Sequence, residues 1–166
     1  LAELWGGGIN SRSNQSVNAD SALAVSTVMA CVGRVSKTLA MLPFNVMRKL
    51  PGGGHEIATK HRLQRQMSAR PNRWQSSYTW RMLSQAHVML RGNAYSRLVS
   101  TPGRGMNELV PMDPDRTWPF VITPNEATYY LYDNSPCPPP GSKLYYQYFP
   151  MNAGTEVLTA DEVLHI

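Results

Sequence analysis

From Asp20 to Leu42, apolar residues recur at steps of three and four: Ala24, Val28, Cys31, Val32, Val35, Leu39 and Leu42. Arg34 and Lys37 fall on the other side. That period predicts one amphipathic helix with a buried apolar stripe. Asp20 or Ser21 can cap its first turn by accepting an unpaired backbone N–H. Pro43 ends it, because the residue before a proline avoids the helical region. "PFNVMRKL" then alternates, with Phe44, Val46 and Arg48 on one face. "PGGGH" turns the chain toward "EIATK", which predicts a hairpin. Residues 60–68 read as a short helix with Leu63 and Met67 on its apolar side. A loop with Pro71 and Asn72 follows, and Ser76 or Ser77 can cap the next helix. Its stripe is Met82, Leu83, Ala86, Met89 and Leu90, with Arg81, Ser84 and Gln85 turned away.

That helix runs into "RGNAY", where the period changes from helical to alternating. Gly92 and Asn93 tolerate the left-handed backbone that closes a helix C-terminus. Arg91 complements the negative end of the helix dipole. An anion site wants free N–H groups at a helix N-terminus, so this corner is structural and no phosphate loop. The triple glycine at 52–54 lacks the following Gly-Lys-Ser/Thr and reads as a hairpin tip.

The remainder reads as β: "AYSRLVS", "NELVPM" (broken at Pro111), "TWPFVIT", "TYYLYD" and "KLYYQYF". In "DPDR" the carboxylates of Asp113 and Asp115 can accept nearby N–H groups, and Pro114 presets a turn. Nine of the 15 aromatics follow residue 116, and Tyr146 and Tyr148 share a strand face, as do Tyr130 and Tyr132. Cross-strand packing accounts for them better than a nucleic-acid stacking platform, which would want cations between the rings; only Lys143 is there. "TEVLTADEVLHI" closes the chain, and stopping at Ile166 inside an apolar strand predicts a chain cut from something longer. The whole is an α+β fold, amphipathic helices packed on antiparallel hairpins and sheet. Residues 1–19 are expected to be a flexible arm in which Trp5 can anchor on a neighbour, and residues 20–166 one domain.

Charge sharpens the picture. Residues 1–116 hold 15 Lys/Arg and 6 Asp/Glu, whereas residues 117–166 hold one Lys and 5 acids. Such asymmetry fits a nucleic acid, an acidic partner or a charged seam between subunits. No apolar run reaches the roughly 18 residues of a membrane span, so the chain reads as soluble. Cys31 and Cys137 make no disulfide framework and read as reduced thiols. His55, His61, His87 and His165 form no HExxH pair, neither cysteine belongs to a CxxC, and no GxSxG is present. Nothing in the residues points to an enzyme, a metal or a cofactor.

Four segments together are similar to one family. They are "SALAVSTVMACVGRVSKTLAMLPFNVMRK" (21–49), "HRLQRQMSARPNRWQSSYTWRMLSQAHVMLRGNAYSRL" (61–98), "ELVPMDPDR" (108–116) and "ADEVLHI" (160–166). In order and spacing they resemble the portal proteins of tailed bacteriophages, siphophage and prophage type, in the amino-terminal part of the wing. The resemblance implies a structural subunit without catalysis in a homo-oligomeric ring, usually dodecameric, at a capsid vertex. It implies contact with capsid protein and double-stranded DNA passing through the channel, in the virion and, during assembly, in the host cytoplasm. Terminase and the head-tail adaptor would dock through stem, clip and crown, which the family carries beyond the point matching Ile166. Arg91, Gly92, Asn93 and Tyr95 would hold the helix-to-strand corner, and Asp113 and Arg116 the turn. The tyrosine-rich stretch 129–150 departs from the family, and Tyr146 and Tyr148 are candidates for contact with a neighbour. Two rivals remain: a free-standing basic nucleic-acid-binding domain, and a Cys/His hydrolase.

Overall fold

The computed structural model describes residues 9–10, 16–100, 107–124, 128–130, 140–151 and 153–166. Trp5, Cys137 and Tyr132 lie outside them. In chain order the strands are β1 (Ile9–Asn10), β2 (Ser16–Val17), β3 (Met47–Lys49), β4 (His55–Ile57), β5 (Tyr95–Ser100), β6 (Asn107–Met112), β7 (Thr117–Ile122), β8 (Thr128–Tyr130), β9 (Lys143–Tyr148), β10 (Glu156–Thr159) and β11 (Val163–His165). The helices are α1 (Ala19–Leu23), α2 (Ser26–Met41), α3 (Arg62–Ser68) and α4 (Ser77–Arg91). Single 3-10 turns occupy Pro114–Arg116 and Ala160–Glu162. The fold is α+β with antiparallel pairing throughout the described residues.

Three layers carry the core. The central one is a three-stranded sheet in the order β11-β5-β6. Side chains alternate across it, so Leu98, Leu109 and Leu164 share one face and Tyr95, Met112 and Val163 the other. The first face packs on Met67 of α3 and Trp80 of α4. The second packs on Tyr146 and Leu158 of the four-stranded sheet β10-β9-β7-β8. The central sheet is thus apolar on both sides, which is why its strands read as mixed runs with little clean alternation.

Several boundaries follow from local chemistry. Ser76 caps α4 by accepting from the Thr79 N–H, 3.2 Å away. Gly92 closes α4 at φ +80°, in the left-handed region. The β3–β4 hairpin turns through Gly53 and Gly54, both at positive φ.

Other expectations need correction. The helix predicted from Asp20 to Leu42 is two helices. Asn18, not Asp20 or Ser21, caps the first by accepting from the Ser21 N–H at 2.7 Å, while Ser21 Oγ accepts from the Asn18 N–H. The chain then turns, and Val25 is extended at φ −81°, ψ 115°. Helix α1 answers to Arg91 through Asp20, whereas α2 answers to α4, so the rod breaks between them. Pro111 does not break β6 but pairs opposite Ser96. Two residues earlier, the Leu109 N–H points away from β5, so proline's missing N–H falls on that same outer side.

The face of α4 that is fully buried is also not the apolar stripe. It is Ser77, Trp80 and Ser84, while Met89 is 41% exposed. The serines fit because each hydroxyl finds a backbone acceptor: Ser84 Oγ donates to the Trp80 carbonyl at 3.0 Å, and Ser77 Oγ to the Met67 carbonyl. Small side chains let the helix sit close to the sheet.

Candidate assembly surfaces

The corner after α4 gathers the residues that sequence placed there, with partners from distant segments. Arg91 Nε donates to Asp115 Oδ1 at 2.6 Å and Nη2 to Asp20 Oδ1 at 3.0 Å. Both carboxylates hold the guanidinium charged and aim it at structure, not at a ligand. Asn93 Oδ1 faces His165 Nε2 at 3.0 Å, and Ala94 and Ile166 exchange both backbone hydrogen bonds at 2.9 Å. The end of the chain is therefore stitched to the end of α4. A Cβ at Gly92 would meet nothing within 4 Å, so the cost of a side chain there is the backbone torsion alone. Gly92→Val should cost about 1–2 kcal/mol or somewhat more for its β-branch, and Gly92→Asn distinctly less. Equal urea midpoints for the two variants would contradict this.

His165 stands between two tyrosines. Its ring lies 4.6 Å from Tyr95 and 5.7 Å, edge-on, from Tyr146. With the Asn93 oxygen at Nε2, the hydrogen sits there, and Nδ1 accepts from the Tyr146 hydroxyl at 3.2 Å. Protonating Nδ1 would require the Tyr146 hydroxyl to turn from donor to acceptor. Burial pushes the Tyr95 phenol up to about 12, and burial also pushes His165 below its ordinary value of 6.5. His87 is lowered too, by burial first, with Arg91 adding to it and Asp113 and Asp115 opposing. Groups lowered in the folded state bind more protons when unfolded. Their contribution is complete above 6.5 and fades as pH falls through 6.5 to the folded-state values. Thermal melts from pH 7.5 to 5 should therefore show falling stability, flattened when both histidines become Gln. A flat wild-type profile would contradict it.

The "DPDR" turn forms with Asp113 in the role read for it, whereas the Asp115 carboxylate accepts from Arg91 and, among the described residues, not from a nearby backbone N–H. Asp113 Oδ1 accepts from the Asp115 N–H at 3.0 Å, and Arg116 Nε lies 3.5 Å from Asp113 Oδ2. Arg116 also reaches the next sheet, where its carbonyl accepts from the Phe149 N–H at 3.0 Å. Tyr146 and Tyr148 share the inner face of β9. Tyr146 is 3% exposed, packed edge-on against Tyr95 at 5.8 Å, and offers no surface to a neighbour; Tyr148 is half-buried against the same cluster.

The largest surprise is α2, expected to be buried on its apolar stripe. Only Ser36 and Ala40 are fully buried, and they are the small residues that face α4. Val25, Met29, Val35, Leu39 and Leu42 are all 41–63% exposed. Phe44, also exposed, joins Leu39, Trp80, Val88 and Ile166 in lining an apolar recess of about 150 Å³. The sequence signal was Ser36 and Ala40, two small residues one helical turn apart, the pattern of close helix contact. Exposed apolar side chains gathered in this way are the composition of a contact surface.

Among the described residues no three His, Cys, Asp or Glu side chains lie close enough to hold a metal ion. Cys31 is exposed. His61 caps α3, its Nδ1 accepting from the Leu63 N–H at 3.3 Å. No described helix is long and apolar enough to cross a membrane.

The sequence is similar to that of known proteins. Protein BeeE of Escherichia coli strain K12 is 29% identical over 114 residues, which cover 69% of this chain and 71% of BeeE. The phage portal protein profile matches residues 26–166, from the first residue of α2 to Ile166. That match takes in the open helix, the stitched corner and both core sheets, and by it the chain belongs to the phage portal protein family and has a portal-type structural role.

Proposed function

We propose that the chain forms a wing-like part, from residue 20 onward, of a ring of identical subunits, usually twelve, at one vertex of a phage capsid. DNA is packaged and ejected through the ring's channel. The subunit touches capsid protein, and terminase and the head-tail adaptor dock on other parts of the ring. The protein resides in the virion and, while heads are being built, in the host cytoplasm. It catalyses nothing; Arg91, Asn93, Asp113, Arg116 and Tyr146 serve the framework, and Trp5 anchors on a neighbour.

The observation that carries this reading is the open apolar strip of α2 in a chain of this family. A helix that packs through Ser36 and Ala40 and leaves Val35 and Leu39 outside is built to be covered. Electron microscopy of the complete gene product tests it. Rings with an axial channel are expected, and a product that stays monomeric at every concentration and salt refutes it.

Lys60, Arg65 and Arg70, exposed and without an ion pair among the described residues, support the rival nucleic-acid reading. Salt separates the two. About six phosphate contacts would weaken DNA binding by roughly a thousandfold or more between 50 and 200 mM salt. A subunit whose cations meet protein shows little DNA retention at physiological salt.

A further inference from the structure

We infer that the edge of the central sheet carrying Trp74 meets a second copy of this chain, whose acidic turn Asp161–Glu162 it receives. The inference rests on the ring reading and adds which faces touch.

The cationic side comes first. Residues 57–107 contain no Asp or Glu. Of their cations, Arg73, Arg91 and Arg97 have carboxylate partners, and Arg81 donates to the carbonyls of Ser77 and Leu42. Lys60, Arg65 and Arg70 are exposed and make no ion pair among the described residues. Arg65 and Arg70 flank the end of α3, where the Arg70 N–H reaches back to the Arg65 carbonyl at 3.4 Å.

The segment after them is a built platform. Asn72 is 3% exposed and uses both ends of its amide. Its Oδ1 accepts from the N–H groups of Trp74 and Gln75, and its Nδ2 donates to Gln75 Oε1 and to the Leu109 carbonyl at 2.8 Å. The Pro71 carbonyl accepts from the Leu109 N–H at 2.8 Å. The loop thus covers the outer edge of β6, which would otherwise template further strands. On this held backbone Trp74 is 64% exposed. A fixed aromatic beside arginines is the composition of an interface anchor, and a backbone already ordered loses little entropy on binding.

The acidic side lies at the opposite edge of the same sheet. Asp161 is exposed and makes no ion pair among the described residues. Glu162 is exposed and gives one oxygen, Oε2, to Thr159 at 2.9 Å from its N–H. Both sit in the turn directly before β11, and β11 and β6 are the two outer strands of the order β11-β5-β6, about 10 Å apart. A contact relating copies by a two-fold axis through the Trp74 face would set cation against cation. A head-to-tail contact sets the basic edge of one copy against the acidic edge of the next, and repeated rotation closes it into a ring. Charge pairs of this exposed kind fix register and partner choice, while Trp74 supplies the burial.

The test is charge exchange in the complete gene product. Arg65→Glu with Arg70→Glu, and separately Asp161→Arg, should each raise the protein concentration needed for rings about tenfold, with unchanged melting curves. Combining the three substitutions in one chain should restore assembly toward wild type, and Trp74→Ala should weaken rings at all salts. Single variants that assemble normally overturn the interface but leave the ring reading standing. So does a combined variant no better than its parents, which would mean that these faces meet something else. DNA retention lost with Arg65→Glu/Arg70→Glu while rings persist assigns the edge to nucleic acid instead. A wild-type product that never forms rings removes both readings.

Discussion

Trp80→Ala should destabilise the fold by about 3–5 kcal/mol, the range for emptying a large buried aromatic site. Trp80 is 1% exposed and lies where α3, α4 and the central sheet meet. Its ring packs with Met67 and Leu109, with Leu98 and Leu164 against the same cluster. Its Nε1 donates to Ser96 Oγ at 3.0 Å, and Ser96 is itself 2% exposed. Alanine would open a cavity between layers and leave the serine hydroxyl without its partner. Trp80→Phe separates the two effects, since it keeps most of the volume and loses the hydrogen bond, for a smaller cost of about 1–3 kcal/mol. Urea unfolding followed by circular dichroism gives both numbers. An alanine variant as stable as wild type would mean that the helices do not rest on the sheet through this ring.

Met29→Glu with Val35→Glu should leave folding nearly intact and abolish ring assembly. Met29 is 63% and Val35 42% exposed, so neither change empties a packed site. Glutamate is a good helix former, and at Met29 it sits near the positive end of the α2 dipole. Surface substitutions of this sort stay within about 0.5 kcal/mol, and the partly buried Val35 could bring the pair to about 1 kcal/mol. A covered apolar strip behaves oppositely, because a carboxylate desolvated without a partner is strongly unfavourable. Electron microscopy counts the rings, and thermal melting verifies the fold. Rings at wild-type abundance would show that the strip lies outside every assembly contact. Melting at a much lower temperature would show that α2 is held by more than its small-residue face.

Much of the local architecture could be read from neighbours in the chain. The Ser76 cap, the Gly92 terminus, the glycine hairpin tip and the Asp113–Pro114 turn each depend on residues within a few positions. Family resemblance was legible too, because it rests on those same local signals in a fixed order. The α+β class followed from periods that switch from helical to alternating at Gly92.

Burial and partnership were a different matter. The stripe on α2 predicts a buried helix, yet its long side chains stay outside because α4 needs the short ones of Ser36 and Ala40 to approach closely. Arg91 reads as a dipole complement, yet its charge is shared by Asp20 and Asp115, 71 and 24 residues away. Asn72 reads as a loop residue, yet it clasps Leu109 across 37 residues and seals a sheet edge. Sequence by itself settled the helix and strand ends fixed by Pro43, Ser76, Gly92 and Asp113, though not the break at Val25, since backbone torsion and capping act over a turn or two. Only the tertiary structure decided which faces are covered and which charges are spent, because solvent exclusion and ion pairing depend on surfaces brought together from distant parts of the chain.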